Sequence, residues 1–67
     1  MYSLLTKREK DIFKLLALNY STTEISAKLN ISEKTVRNHI SNVIQKLGLT
    51  NRLQAVLELI KLKEIEL

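Results

Sequence analysis

The chain carries no proline and a single glycine, Gly48, in 67 residues. Only its own polar residues can therefore interrupt a helix, and they fall as punctuation. Thr6-Lys7-Arg8-Glu9 and Ser21-Thr22-Thr23-Glu24 both fit a capping box. In that motif a hydroxyl and a glutamate three residues on satisfy each other's backbone N–H groups. Ser32 can cap a third helix, with Glu33 in the first turn complementing the dipole. Asn30 tolerates the left-handed conformation of tight turns, and Gly48 stands where a C-terminal left-handed cap belongs. These signals predict an all-α fold, a compact four-helix domain with helices over about 6–19, 22–29, 33–47 and 51–62.

Each predicted helix has an apolar face. In the first, Ile12, Leu15 and Leu16 recur at helical spacing with Phe13 beside them. In the second, Ile25 and Leu29 face inward one turn apart, and the small Ser26 and Ala27 allow another helix to approach. In the third, Val36, Ile40, Val43, Ile44 and Leu47 make a continuous stripe. The fourth helix, starting at Thr50 or Asn51, has two: Leu53, Val56, Leu57 and Ile60, and then Ala55, Leu59 and Leu62. One stripe suffices for a terminal helix packed on one core. The second is therefore expected to contact another chain, although a helix wedged between others would also bury both.

Residues 1–67 are enough for one domain, and a chain this short buries only about 60% of its unfolded surface. It has no cysteine and only one histidine, His39, so disulfides, thiol chemistry and multi-histidine metal sites are excluded. Pairing with a copy of itself is one remaining source of stability. No apolar run approaches the ~20 residues of a membrane span. The N-terminus lacks the apolar stretch of a signal peptide, so the expectation is a soluble cytoplasmic protein away from membranes. The first capping box, at Thr6, is expected to leave almost no N-terminal arm.

The net charge is +4. Lys7, Arg8, Lys10 and Lys14 lie near the start, and no acid falls between Glu33 and Glu58, where Lys34, Arg37, Lys46 and Arg52 stand. Glu58, Glu64 and Glu66 gather at the end. A basic middle with an acidic tail suits a polyanion docking on one side, although an ordinary solvated surface has the same composition.

Only Asn30, Ile31 and Ser32 separate the second and third helices. Two helices joined so tightly meet at a steep angle, with Ile31 plugging the corner: a helix-turn-helix. The third helix then presents Glu33, Lys34, Arg37, Asn38, Ser41, Asn42 and Gln45 outward. An ordinary solvated helix would pair Glu with Lys. Arginine, asparagine, glutamine and serine instead hydrogen-bond to base edges, and asparagine and serine are mediocre helix formers. Tyr2, Phe13 and Tyr20 are scattered, so no platform for stacking single-stranded bases is expected. His39 has no partner motif for catalysis and reads as a phosphate contact or as packing.

Leu5-Thr6-Lys7-Arg8-Glu9, Thr23-Glu24-Ile25-Ser26 with Leu29, the run Ile31 to Ile40, Lys46-Leu47-Gly48 and Arg52-Leu53-Gln54-Ala55-Val56 together resemble the LuxR-type helix-turn-helix family. The likeness runs from Leu4 to the end and is strongest to a free-standing member from spore-forming bacteria. Ser26 departs from it, standing where the family commonly has alanine; its hydroxyl can bond back one turn. The resemblance implies a bacterial transcription regulator whose third helix enters the major groove and whose fourth mediates a two-fold dimer. Carried over by position, Arg37, Asn38 and Ser41 contact base edges, while Lys34, Thr35, His39 and Lys46 lie near the backbone. Thr22 and Thr23 cap the second helix, whose N-terminus can approach a phosphate. Ala55, Leu59 and Leu62 form the expected dimer interface. Double-stranded DNA and a second copy are the expected partners, RNA polymerase is a further candidate, and no cofactor, metal or small-molecule ligand is implied.

Two alternatives keep the fold: a protein-interaction module, and a sigma-like domain held by RNA polymerase. The ordered fourth helix argues against the second, since such domains end soon after their recognition helix. An enzyme is not expected, because the chain lacks paired carboxylates, a glycine-rich phosphate loop and a concave surface.

Overall fold

A computed structural model describes residues 4–66; Tyr2 lies outside them. Four helices follow in order, α1 Lys7–Ala17, α2 Thr22–Leu29, α3 Glu33–Leu47 and α4 Arg52–Lys61, with no strand among the described residues. The second and third have the predicted bounds. The first begins one residue later, with Thr6 as its cap, and stops two residues early, and the fourth is one residue shorter at each end because Asn51 is its cap and Leu62 its last turn's exit.

Four polar side chains start the helices: Thr6, Ser21, Ser32 and Asn51 each accept a bond from the backbone N–H three residues on. Both predicted capping boxes close reciprocally, with Glu9 and Glu24 accepting from the Thr6 and Ser21 amides at 3.0 and 2.8 Å. Ser21 rather than Thr22 or Thr23 caps α2. The two threonines are its first helical residues.

The four exits share one device. Asn19, Asn30, Gly48 and Lys63 all take positive φ, between 56° and 71°. After each, the next amide reaches back to a carbonyl in the last turn: Tyr20 to Leu15, Ile31 to Ser26, Leu49 to Ile44 and Glu64 to Leu59. This is the pattern of a left-handed C-terminal cap. Only Gly48 adopts it without a steric cost. Lys63 was not foreseen, because lysine carries no signal for that conformation.

α1 and α3 each pack against all three other helices. Ile12 and Phe13, Ile25, Val36 and Val43, and Ala55 and Leu59 have no exposed surface. Leu15 and Leu16 are only half-buried, so the inward face of α1 is centred one position earlier than predicted. Ser26 is half-buried but Ala27 is exposed, so close approach at α2 is confined to Ser26. Leu5 and Ile65, outside every helix, also close the core.

The stripes of α4 correct the sequence reading. Ala55 and Leu59, expected at an interface, are 0% exposed and belong to the chain's own core. Leu53 and Leu57, expected inside with Val56, are 65% and 59% exposed. Leu62 is 49% exposed. Seen alone, α4 offers two plausible faces. The packing of α1 and α3 selects the one with alanine at its centre, since a small residue lets the helices approach.

Among the described residues, one charged residue lies in this interior. Glu9 is 4% exposed, because it precedes Ile12 and Phe13 by one helical turn and shares their face. Its carboxylate accepts from the Thr6 amide and, at 2.7 Å, from Lys46 Nζ at the far end of α3. Burial would raise the Glu9 carboxyl, but the Lys46 hydrogen bond, the Thr6 amide and the Lys46 charge hold it below its ordinary value. A depressed carboxyl adds stability that is complete above the unfolded-state value and is lost as pH falls through the folded one. Glu9→Gln is therefore expected to lower stability at neutral pH by about 1–3 kcal/mol. The gap from the parent should close as pH drops below ~4.3, which urea unfolding across pH would measure.

Candidate nucleic-acid interface

The turn between α2 and α3 is built from three residues. Asn30 reverses the chain at φ 56°, ψ 46°. Ile31 is half-buried against the core, as a plug for the corner must be. Ser32 caps α3, its Oγ accepting from the Thr35 amide at 3.0 Å and lying 2.9 Å from the Thr35 hydroxyl. The Ser26 hydroxyl donates to the Thr23 carbonyl at 2.7 Å, so the departure from alanine is accommodated within α2.

The inward side of α3 is fixed by Val36, Ile40 and Val43, all buried. At about 100° per residue, the direction opposite these three is lined by Lys34, Asn38, Ser41 and Gln45, with Asn42 beside them. All five are exposed. They form one polar ridge, and none makes a side-chain hydrogen bond or ion pair within the chain among the described residues. Unpartnered donors and acceptors on a rigid helix are what base-edge reading requires.

Arg37 is exposed as well, about a quarter turn from the centre of that ridge. Its guanidinium lies 3.5 Å from Glu33 one turn earlier. Both side chains are well solvated, and such a pair contributes only about 0.3–0.5 kcal/mol, so Arg37 is readily released to another partner. Asn38 and Ser41 therefore stand at the middle of the ridge and Arg37 at its edge.

The residues expected near the backbone divide. Lys34 is exposed on the ridge and carries an unpaired charge. Thr35 and His39 are half-buried on one shoulder. Thr35 also has its hydroxyl at the cap. Lys46 is not a free cation: it is bound to Glu9 and lies 3.4 Å from the Leu4 carbonyl. This pairing gives Lys46 an internal role, holding the end of α3 against α1. The signal for this pairing was the burial of Glu9, legible from its spacing to Phe13; the identity of its partner was not. The Thr22 and Thr23 amides have no acceptor among the described residues, which leaves the start of α2 open to an anion. No group of three metal-ligating side chains comes together among the described residues. No helix there is long and apolar enough to cross a membrane.

This arrangement is one seen before. Residues 3–59 match the family described as bacterial regulatory proteins, luxR family. The chain is 59% identical over 64 residues to the spore germination protein GerE of Bacillus subtilis (strain 168), spanning 96% of this chain and 86% of that protein. It is 48% identical to the transcriptional regulatory protein DegU of Brevibacillus brevis, where 87% of this chain matches a quarter of the relative. Among solved structures, that of the transcription factor GerE superposes with a TM-score of 0.94 at 63% identity, covering 97% of both chains. The response regulator ChrA, from a heme-sensing two-component system, superposes at 0.87 with 34% identity over 97% of this chain and 32% of that one.

The ridge separates two kinds of substitution. Arg37→Ala is expected to weaken binding to a preferred duplex by about 1–3 kcal/mol and relax selectivity at one base pair. Lys34→Ala should weaken all duplexes alike and reduce the slope of log affinity against log salt by about one unit. Fluorescence anisotropy over a salt series on preferred and scrambled duplexes measures both. Equal loss on the two duplexes for Arg37→Ala would move that residue to the backbone.

Proposed function

The chain belongs to the luxR family of bacterial regulatory proteins, and from that premise we propose that it regulates transcription by laying α3 in the major groove of double-stranded DNA. The single observation that carries this reading is the bare ridge of Lys34, Asn38, Ser41, Asn42 and Gln45 on a helix whose other side is locked into the core. Asn38 and Ser41 read base edges from the middle of the ridge, and Arg37 leaves Glu33 to reach a guanine at its edge. Lys34 and the α2 amides at Thr22 and Thr23 hold phosphates, with Thr35 and His39 on the flank. This is a binding activity acting in the cytoplasm, with no catalytic step.

Two copies act together in this reading. Leu53 and Leu57 stand one turn apart on the outer edge of α4, and with Leu62 just past its end they are the apolar surface available for a two-fold contact. A groove of about 500 Å³ beside them, between the end of α1 and the start of α4, gives a partner's side chain somewhere to enter. Two α3 helices would then read half-sites about 10 base pairs apart. The likeness to the spore germination protein GerE favours a role in spore formation.

Selection of bound duplexes from a random pool at near-physiological salt tests the reading. A two-fold motif with half-sites one helical turn apart is expected; no enrichment at all would contradict it. Leu57→Glu should give a folded monomer by sedimentation that still enriches a single half-site. Unchanged dimers would place the contact elsewhere.

A further inference from the structure

A second groove lies next to the first, on the α2 side of the end of α1. Asp11, Lys14, Leu15 and Leu18 from the α1 side and Lys28 and Leu29 from α2 line an open groove of about 400 Å³. No residue of α3 or α4 lines it, and it shares no lining residue with the groove beside α4. We infer that this groove docks a short acidic segment of a partner protein that carries one bulky apolar anchor.

The floor is leucine. Leu18 is 59% exposed, held there by the left-handed exit of α1, while Leu15 and Leu29 are half-buried beneath it. The rim is cationic. Lys7 has Asp11 at 3.7 Å, Arg37 has Glu33 and Lys46 has Glu9. Lys14 and Lys28, like most of the chain's cations, have no carboxylate partner among the described residues. Lys28 is instead seated over the Tyr20 ring, 5.5 Å from its centroid, which keeps its charge at the rim. The one acid on the rim, Asp11, is already paired with Lys7.

Charge selects the occupant. A two-fold contact between copies would set Lys14 and Lys28 against their own counterparts with no free carboxylate between them. A duplex would satisfy the lysines but leave Leu18 uncovered. An acidic segment with a leucine-like anchor satisfies both rim and floor. The groove holds one or two side chains, so the contact is a weak, transient one.

Panning the full chain against a displayed library of short peptides at near-physiological salt tests this without DNA, so it succeeds or fails separately from the duplex selection. Enriched peptides are expected to be acidic with a single large apolar residue. Leu18→Ser should cut their retention about tenfold, the behaviour of a central anchor site. The double variant Lys14→Glu with Lys28→Glu should turn the selection towards basic peptides. Both variants change exposed side chains and should keep the parent's circular dichroism, and Leu18→Ser should keep its duplex affinity. No enrichment, or enriched peptides indifferent to both variants, would overturn the proposal. So would a fall in the salt slope of duplex binding in the neutralised variant Lys14→Gln with Lys28→Gln comparable to that of Lys34→Ala, which would assign these lysines to DNA.

Discussion

The rotation of α3 about its own axis is the constraint on which the rest of the structure depends. Val36, Ile40 and Val43 can be buried together in only one orientation, and α1, α2 and α4 all meet the helix around that face. Once they are buried, Lys34, Asn38, Ser41 and Gln45 have nowhere to point but outward. The three-residue turn from α2 sets the angle at which the helix leaves the body. The ion pair between Glu9 and Lys46 pins its far end to α1. A reading surface has to be rigid if base-edge contacts are to discriminate, and here both ends and one full side of the helix are fixed by interactions that do not involve the ridge itself.

The local grammar of the chain was readable from its residues. Each helix start is a short-range event, a hydroxyl or amide oxygen meeting an N–H three residues on, so Thr6, Ser21 and Ser32 announce themselves. The bounds of α2 and α3 follow from such signals, as does the left-handed geometry at Asn30 and Gly48. The outward set on α3 was legible for a related reason: its stripe is unbroken, so removing the buried positions leaves the exposed ones.

What the residues concealed depends on contacts distant in sequence. Helix α4 has apolar residues on most of its circumference, and periodicity cannot choose between its two stripes. The choice lies in how closely α1 and α3 approach, and Ala55 permits that approach where Leu57 would not. Lys46 looked like a free cation because its partner, Glu9, is 37 positions away and doubles as the carboxylate of a capping box. Ile65 and Lys63 were missed together. The left-handed turn at Lys63 folds the tail back, and only then does Ile65 reach the core.

In the function proposed above, α3 meets DNA through one ridge. Backbone amide shifts in a heteronuclear NMR titration with a duplex recovered by selection test it most directly. The largest changes are predicted at Lys34, Arg37, Asn38, Ser41 and Asn42, with smaller ones at Thr22 and Thr23. Changes centred on the α1–α2 groove or on α4, with those ridge amides unmoved, would contradict it.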